Sequence, residues 1–172
     1  MIRPSTAADL AAVFDSLPCI VTAMRATGND QWGPSYPTRD HFAADFTEGV
    51  LFLDDDQGQI RGFAVLNFEE PEEYEPLLWT VGRPALVIHR LAVVPEFLRR
   101  GVADGLFAFA EAQATERNLA GLRSDTYSRN PAMNALFAKR GWRQVGALRF
   151  PGREADFVAW EKAVTRIGLT SP

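Results

Sequence analysis

ALVIHRLAVVPEFLRRGVA, residues 85–103, is an apolar run that meets a proline and then two arginines beside a glycine. Leu86–Val93 is apolar at nearly every position except His89 and Arg90, which predicts a strand buried on both faces. Pro95 to Arg100 is a loop. From Gly101 the chain reads VADGLFAFAEAQATERN, where Val102, Leu106, Phe109 and Ala110 recur at helical spacing. Gly105 within it permits close backbone approach at some cost in helix propensity. A helix that opens on glycine presents unpaired N–H groups and partial positive charge, the setting for a bound anion. Arg99 and Arg100 add charge there, where cations without an anion are mildly unfavourable. The stretch lacks the Gly-Lys-Ser/Thr ending of a P-loop.

Upstream, Ile2 and Arg3 predict a short strand ending at Pro4. Ser5 or Thr6 caps a helix whose apolar face is Leu10, Val13, Phe14 and Leu17, with a stop or kink expected near Pro18 and a continuation to Met24. ATGNDQWGPSYPT is a loop carrying Trp32 and Tyr36, two aromatics that either face a ligand or plug the core edge. Thr38 caps a second helix, with His41 on its surface. Val50–Leu53 and Ile60–Phe68 form an antiparallel hairpin around the polar turn Asp54–Gly58, whose three aspartates lack the spacing of a calcium loop. EEPEEYE, residues 69–75, is a solvated loop or a rim that draws in a cationic acceptor.

Downstream, Gly121–Thr126 reads as a strand. Asn130-Pro131 starts a helix over Ala132–Arg140 that ends at Gly141. Trp142–Leu148 and Phe157–Lys162 are the last strands, and the tail from Arg166 is expected to fray. The 172 residues predict one domain over 1–172, of ordinary globular composition, 47% hydrophobic and 23% charged. A net charge of −4 argues against nucleic acid as a partner. One cysteine, Cys19, excludes an intrachain disulfide framework, and its apolar neighbours predict a packed side chain. The chain reads as cytoplasmic, with no membrane segment, and as a monomer or homodimer.

IHRLAVVPEFLRRGVADGLFAFAEAQA and LRSDTYSRNPAMNALFAKRGWRQVG, with 29 residues from Gly101 to Asn130, resemble the GNAT superfamily of N-acetyltransferases. IRPSTAADL and QWGPSYPTRDHFAADF are similar to a bacterial subgroup of it. The resemblance implies an α/β (α+β) fold: a mixed, mostly antiparallel sheet of six to seven strands, flanked by about four helices and splayed at strands 4 and 5. It implies acetyl-CoA as cosubstrate, no metal, and direct transfer of an acetyl group to a primary amine of a small molecule or peptide. A non-catalytic acyl-CoA-binding module of the same fold is the alternative.

On this resemblance, the backbone of Leu91, Ala92 and Val93 pairs with pantetheine. The amides over Arg99, Arg100, Gly101, Val102, Ala103 and Asp104 wrap the pyrophosphate. Asn130 contacts the cofactor or serves as a plain helix cap. Leu98 departs from the Gln or Arg common in the family, and Ala103 replaces its second glycine. Phe137 stands where many relatives carry the tyrosine that protonates the leaving thiolate, and phenylalanine has no proton to give. Tyr127 is a substitute donor. His89 and Asp125 are the candidate catalytic bases, with Glu69 or Glu70 a third option, and Trp32 and Tyr36 are assigned to the acceptor.

Overall fold

A computed structural model describes residues 1–165. Among them are seven strands and four helices: β1 (Ile2–Pro4), α1 (Asp9–Ala26), α2 (Arg39–Thr47), β2 (Leu51–Asp56), β3 (Gln59–Asn67), β4 (Ala85–Val93), α3 (Val102–Glu116), β5 (Gly121–Tyr127), α4 (Pro131–Lys139), β6 (Arg143–Leu148) and β7 (Phe157–Ala163). The strands form one mixed sheet in the order β1-β2-β3-β4-β5-β7-β6. β1/β2, β2/β3, β5/β7 and β6/β7 are antiparallel, whereas β4 and β5 are parallel. The parallel ladder pairs Ala85–Ile88 with Gly121–Ser124. Both strands run on past its last pair, the splay that the family resemblance implies. The chain gathers into two compact units, Met1–Leu66 with His89–Phe107, and Asn67–Ile88 with the chain from Ala108 on.

In the first unit, α1 passes through Pro18 without a break, contrary to the stop or kink expected there. The proline stands on an exposed turn, while Val13 and Ile20, seven residues apart, are buried. That packing outweighs the backbone hydrogen bond proline forgoes. Cys19 is exposed rather than packed, because it lies on the outward side of the same turn, and its thiol donates to the Ser16 carbonyl at 2.9 Å. Trp32 is 3% exposed and stacks on Phe63 with ring centroids 6.3 Å apart. Phe63 in turn meets Phe42 edge-on at 5.3 Å. This aromatic stack joins the loop before α2, α2 itself and β3 in one core.

Arg3 pins the start of the chain by donating to both Asp9 oxygens at 2.8 Å and to Asp55 at 2.7 Å. The expected turn at Asp54–Gly58 is shorter than predicted. β2 continues to Asp56, and only Gln57 and Gly58 take the positive φ of a tight hairpin. Asp54 and Asp55 are instead held by Arg61 and Arg3. A Cβ at Gly62 would sit 2.7 Å from the Ala92 carbonyl and 2.8 Å from the Val102 side chain. The absence of a side chain at this position lets β3 lie directly against β4 and the first turn of α3.

In the second unit, Tyr74, Val87, Tyr127, Leu148, Phe157 and Ala159 form the core on one face of the sheet. Elsewhere Phe137 stacks on Trp160 at 5.3 Å and meets Trp142 edge-on at 5.0 Å. Buried Glu161 accepts from the Thr80 and Val81 amides at 3.0 and 2.9 Å and from Arg143 at 2.7 Å, fastening the approach to β4 onto β7. The expected frayed tail from Arg166 lies outside the described residues. No helix among the described residues is long and apolar enough to cross a membrane.

Gly62→Ala is expected to destabilise the protein by about 1–3 kcal/mol in urea unfolding, because backbone rather than a flexible side chain blocks the new methyl. The Arg3 guanidinium holds the Asp9 carboxyl well below its ordinary value, aided by the Thr6 hydroxyl and amide against the cost of burial. The stability this contact supplies is therefore complete above about pH 4 and is lost as pH falls below it. Unfolding free energy measured between about pH 4 and pH 2 is expected to fall less steeply in Asp9→Asn than in the wild type.

Candidate active site

β4 does not run regularly to its end. His89, the first residue past the parallel ladder, is half-buried. Arg90 then takes φ 47°, a conformation uncommon for a residue with a side chain, and bulges the strand just before Leu91, Ala92 and Val93. Two side chains hold the bulge. Arg90 Nε donates to Asp45 Oδ2 at 2.8 Å, Nη2 donates to Oδ1, and Nη1 donates to the Tyr36 hydroxyl at 3.3 Å. Asp45 is 4% exposed on α2, so the pair is a nearly desolvated one. The interruption of an apolar strand by a charge was the sequence signal for a buried counter-ion. Asp45, between Phe42 and Phe46, was the residue to suspect.

Of the two aromatics assigned to the acceptor, Trp32 has its ring in the core, stacked on Phe63 and 3% exposed. Tyr36 is half-buried and meets His41 edge-on at 5.2 Å. His41 is not a plain surface residue. Its Nδ1 accepts from the Thr38 amide at 3.0 Å, closing a capping box at the start of α2.

After β4 a single 3-10 turn, Pro95–Phe97, buries Phe97 beneath the Arg100 guanidinium, 5.6 Å from the ring centre. Arg99 and Gly101 then take φ 62° and 81°. Successive N–H groups in a chain of alternating hand make a concave donor surface. The Gly105 amide bonds the Gly101 carbonyl at 2.9 Å, so α3 begins here, and the amides of its first turn precede the first bond of the helix ladder. A Cβ at Gly101 would meet nothing within 4 Å, so the turn into α3 is open at this residue. Beside them lies a recess of about 280 Å³ lined in part by Arg61, Arg100 and Gly101. Arg61 Nε is buried with no hydrogen-bond partner. These residues suit an oxyanion.

On β5, Asp125 is the first residue past the ladder. The Tyr74 hydroxyl donates to its Oδ1 at 2.7 Å. Burial pushes the Asp125 carboxyl up to about 6, Tyr74 pulls against it, and the Glu73 charge pushes it further up. The buried Tyr74 phenol is itself raised well above 10, by burial first and then by the Asp125 charge. The partnership was missed in the sequence, since 51 residues separate the two. The tyrosine inside a run of glutamates was its one visible mark. Of those glutamates, Glu70 is spent on Arg83 and Arg123, at 2.5 and 2.8 Å.

Asn130 caps α4 by accepting from the Met133 amide at 3.2 Å, as its place before Pro131 predicts. Phe137 is 1% exposed and lies within the aromatic core. Tyr127 is equally buried, with its hydroxyl accepting from the Ala155 amide at 3.1 Å. No group of three or more His, Cys, Asp or Glu among the described residues is placed to hold a metal ion.

The model of the acetyltransferase (GNAT) family matches residues 20–142. Solved structures are similar over nearly the whole chain. A Staphylococcus aureus protein provisionally designated an acetyltransferase is 28% identical, with TM-score 0.75 over 96% of this chain and 99% of that one. A GNAT-family acetyltransferase of Streptococcus agalactiae is 21% identical, with TM-score 0.82 over 96% of each chain. The ribosomal-protein-alanine N-acetyltransferase of Brucella melitensis is 20% identical, with TM-score 0.69 over 95% of this chain and 99% of that one. No curated protein sequence matches significantly. The chain, matched over residues 20–142 and folded as its relatives are, belongs to the GNAT family of acetyltransferases.

Proposed function

We propose that the chain is an acetyl-CoA-dependent N-acetyltransferase that acts on a primary amine of a small molecule or a peptide. One observation carries this reading: the opening of α3, where Arg99 and Gly101 turn the chain with positive φ beside a recess lined in part by Arg61 and Arg100. Acetyl-CoA supplies the acetyl group as a thioester. The amides from Arg99 to Asp104 hold its pyrophosphate, and the Arg99 and Arg100 side chains add charge. The backbone of Leu91, Ala92 and Val93, directed by the bulge at Arg90, pairs with the pantetheine arm as an added strand does. N–H groups near Leu91 and Ala92 polarise the thioester carbonyl. Asn130 adds a contact from the start of α4. Tyr36 lines the acceptor side.

The acceptor arrives as an ammonium ion and needs a base. Asp125 has the stronger support, because its carboxyl sits near 6 and is largely ionised at neutral pH while still able to take a proton. His89 is the second candidate, on the strength of imidazole chemistry and its place just before the bulge. The deprotonated amine attacks the carbonyl carbon, the carbon–sulfur bond breaks, and the thiolate leaves. Because a thiol has a pKa near 8.5, departure does not demand a strong acid, and Phe137 is compatible with turnover.

Phe137 also supports a second reading, a non-catalytic acyl-CoA-binding module. Its ring is locked between two tryptophans where many relatives place the acid. CoA release with a panel of amines separates the two readings, and turnover of any amine rules out the second.

Millimolar acetyl-CoA is expected to raise the thermal midpoint by several degrees. Gly101→Leu is expected to weaken acetyl-CoA at least about tenfold in calorimetry, while the left-handed backbone costs about 1–2 kcal/mol of stability. Retained affinity would overturn the pyrophosphate assignment. Asp125→Asn is expected to lower kcat by about 10²-fold with acetyl-CoA affinity changed less than about twofold. The same measurement on His89→Ala decides its part, since a wild-type rate would remove it from the proton path.

A further inference from the structure

The Tyr74 phenol is buried with its hydroxyl on a carboxylate, and the transfer scheme leaves that hydroxyl without a task. Its geometry is specific. Tyr74 is 1% exposed, its ring is packed 4.8 Å from Trp79, and Trp79 Nε1 donates to the Tyr74 carbonyl at 2.9 Å. Ring and backbone are therefore both held, and the hydroxyl has one place to point. It donates to Asp125 Oδ1 at 2.7 Å, on the first residue of β5 past the parallel ladder. The other oxygen, Oδ2, remains on the same carboxylate as a proton acceptor.

We propose that Tyr74 is the positioning residue of the acetyl transfer: its hydroxyl fixes the Asp125 carboxylate so that Oδ2 takes the proton of the incoming ammonium ion. The inference rests on the reading of Asp125 as base. The proton passes from nitrogen to Oδ2, the nitrogen lone pair forms the new bond to carbon, and the Tyr74 proton stays on Tyr74. A buried phenol whose own deprotonation is made harder by burial and by Asp125 is a fixed donor and not a relay.

The surroundings set the direction of every effect. From the segment before β4 come Tyr74, which stabilises the ionised carboxyl, and Glu73, which opposes it. Glu70, from the same segment, and Arg123, on β5 itself, act on Tyr74 with opposite signs. Opposite Asp125, β7 presents Ala159, which does not titrate. On β4, Val87 pairs with Arg123, and His89 stands two residues further on. Removing the phenol hydroxyl thus raises the Asp125 pKa, and removing the Glu73 charge lowers it.

The test uses Tyr74→Phe and Glu73→Gln in the full chain. The Asp125 carboxyl is titrated by 13C NMR, which needs no acceptor, and the pH dependence of kcat is measured with an amine found by CoA release. In Tyr74→Phe, the titration midpoint and the acid limb of the rate profile are both expected to move up by about 0.5–1 pH unit, a threefold to tenfold loss of rate on that limb. The high-pH plateau should fall less than on that limb. Glu73→Gln should move both midpoints down. A merely structural Tyr74 would lower the thermal midpoint and the whole profile together and leave the limb in place, and that result overturns the proposal. Unmoved carboxyl midpoints in both variants overturn it as well. If the wild type acetylates no amine, the transferase reading falls and takes this role with it, whereas turnover with an unmoved limb removes the role of Tyr74 alone.

Discussion

The ion pair between Arg90 and Asp45 governs the half of the molecule that the cofactor would use. A strand residue with a Cβ adopts φ 47° only where its surroundings over-determine it. Here the surroundings are a carboxylate 4% exposed on α2 and a tyrosine hydroxyl from the loop before it. Taking both charges out of water costs several kcal/mol before their attraction repays it, so the pair adds little net stability. Its effect is conformational. It ties the bulge in β4 to a helix, and it determines where Leu91, Ala92 and Val93 present their backbone. Both partners lie in the same compact unit as the opening of α3, so the two stretches assigned to the cofactor are built on one frame.

The second unit solves a different electrostatic problem. β5 carries a cation and then an anion on alternate residues, Arg123 and Asp125, and both are largely removed from water. Arg123 donates through its two Nη atoms to Glu70 and the Val81 carbonyl, keeps a buried Nε without a hydrogen-bond partner, and lies 4.6 Å over the Trp79 ring. Asp125 has a single hydroxyl, which is too little to offset its burial, and its carboxyl rises to about 6. Glu161, two residues past Ala159 on β7, is 1% exposed but collects two amides and an arginine, and its carboxyl stays below the ordinary range. Hydrogen bonds thus oppose burial at both acids, and only at Glu161 do they outweigh it.

Much of the fold was legible in local chemistry. Asn130-Pro131 starts a helix because the amide side chain caps what the proline ring pre-forms, and α4 begins there. The hairpin of β2 and β3 followed from two apolar runs around a polar turn, although the turn itself narrowed to Gln57-Gly58. The readings that changed were those made from neighbours in sequence. Pro18 did not break α1, since the buried residues on either side of it belong to one continuous face. Cys19 sat among apolar residues and is nonetheless exposed, because burial follows the phase of the helix and not the hydrophobicity of the stretch. Trp32 lay in a polar loop and is nonetheless core, because Phe63 from β3 offers its ring a stacking partner.

By itself, the sequence determined the strand-turn-helix of residues 85–103, the helix cap at Asn130 and the family resemblance. Each of these depends on residues close together in the chain, where propensity, capping and glycine geometry act. Only the tertiary structure decided that Asp45 answers Arg90, that Tyr74 answers Asp125, and that Glu70 is spent on arginines. Those contacts join residues 45, 51 and 53 positions apart. A buried charge requires a partner but does not say which, and the choice among many acids and hydroxyls is made when the sheet brings them together.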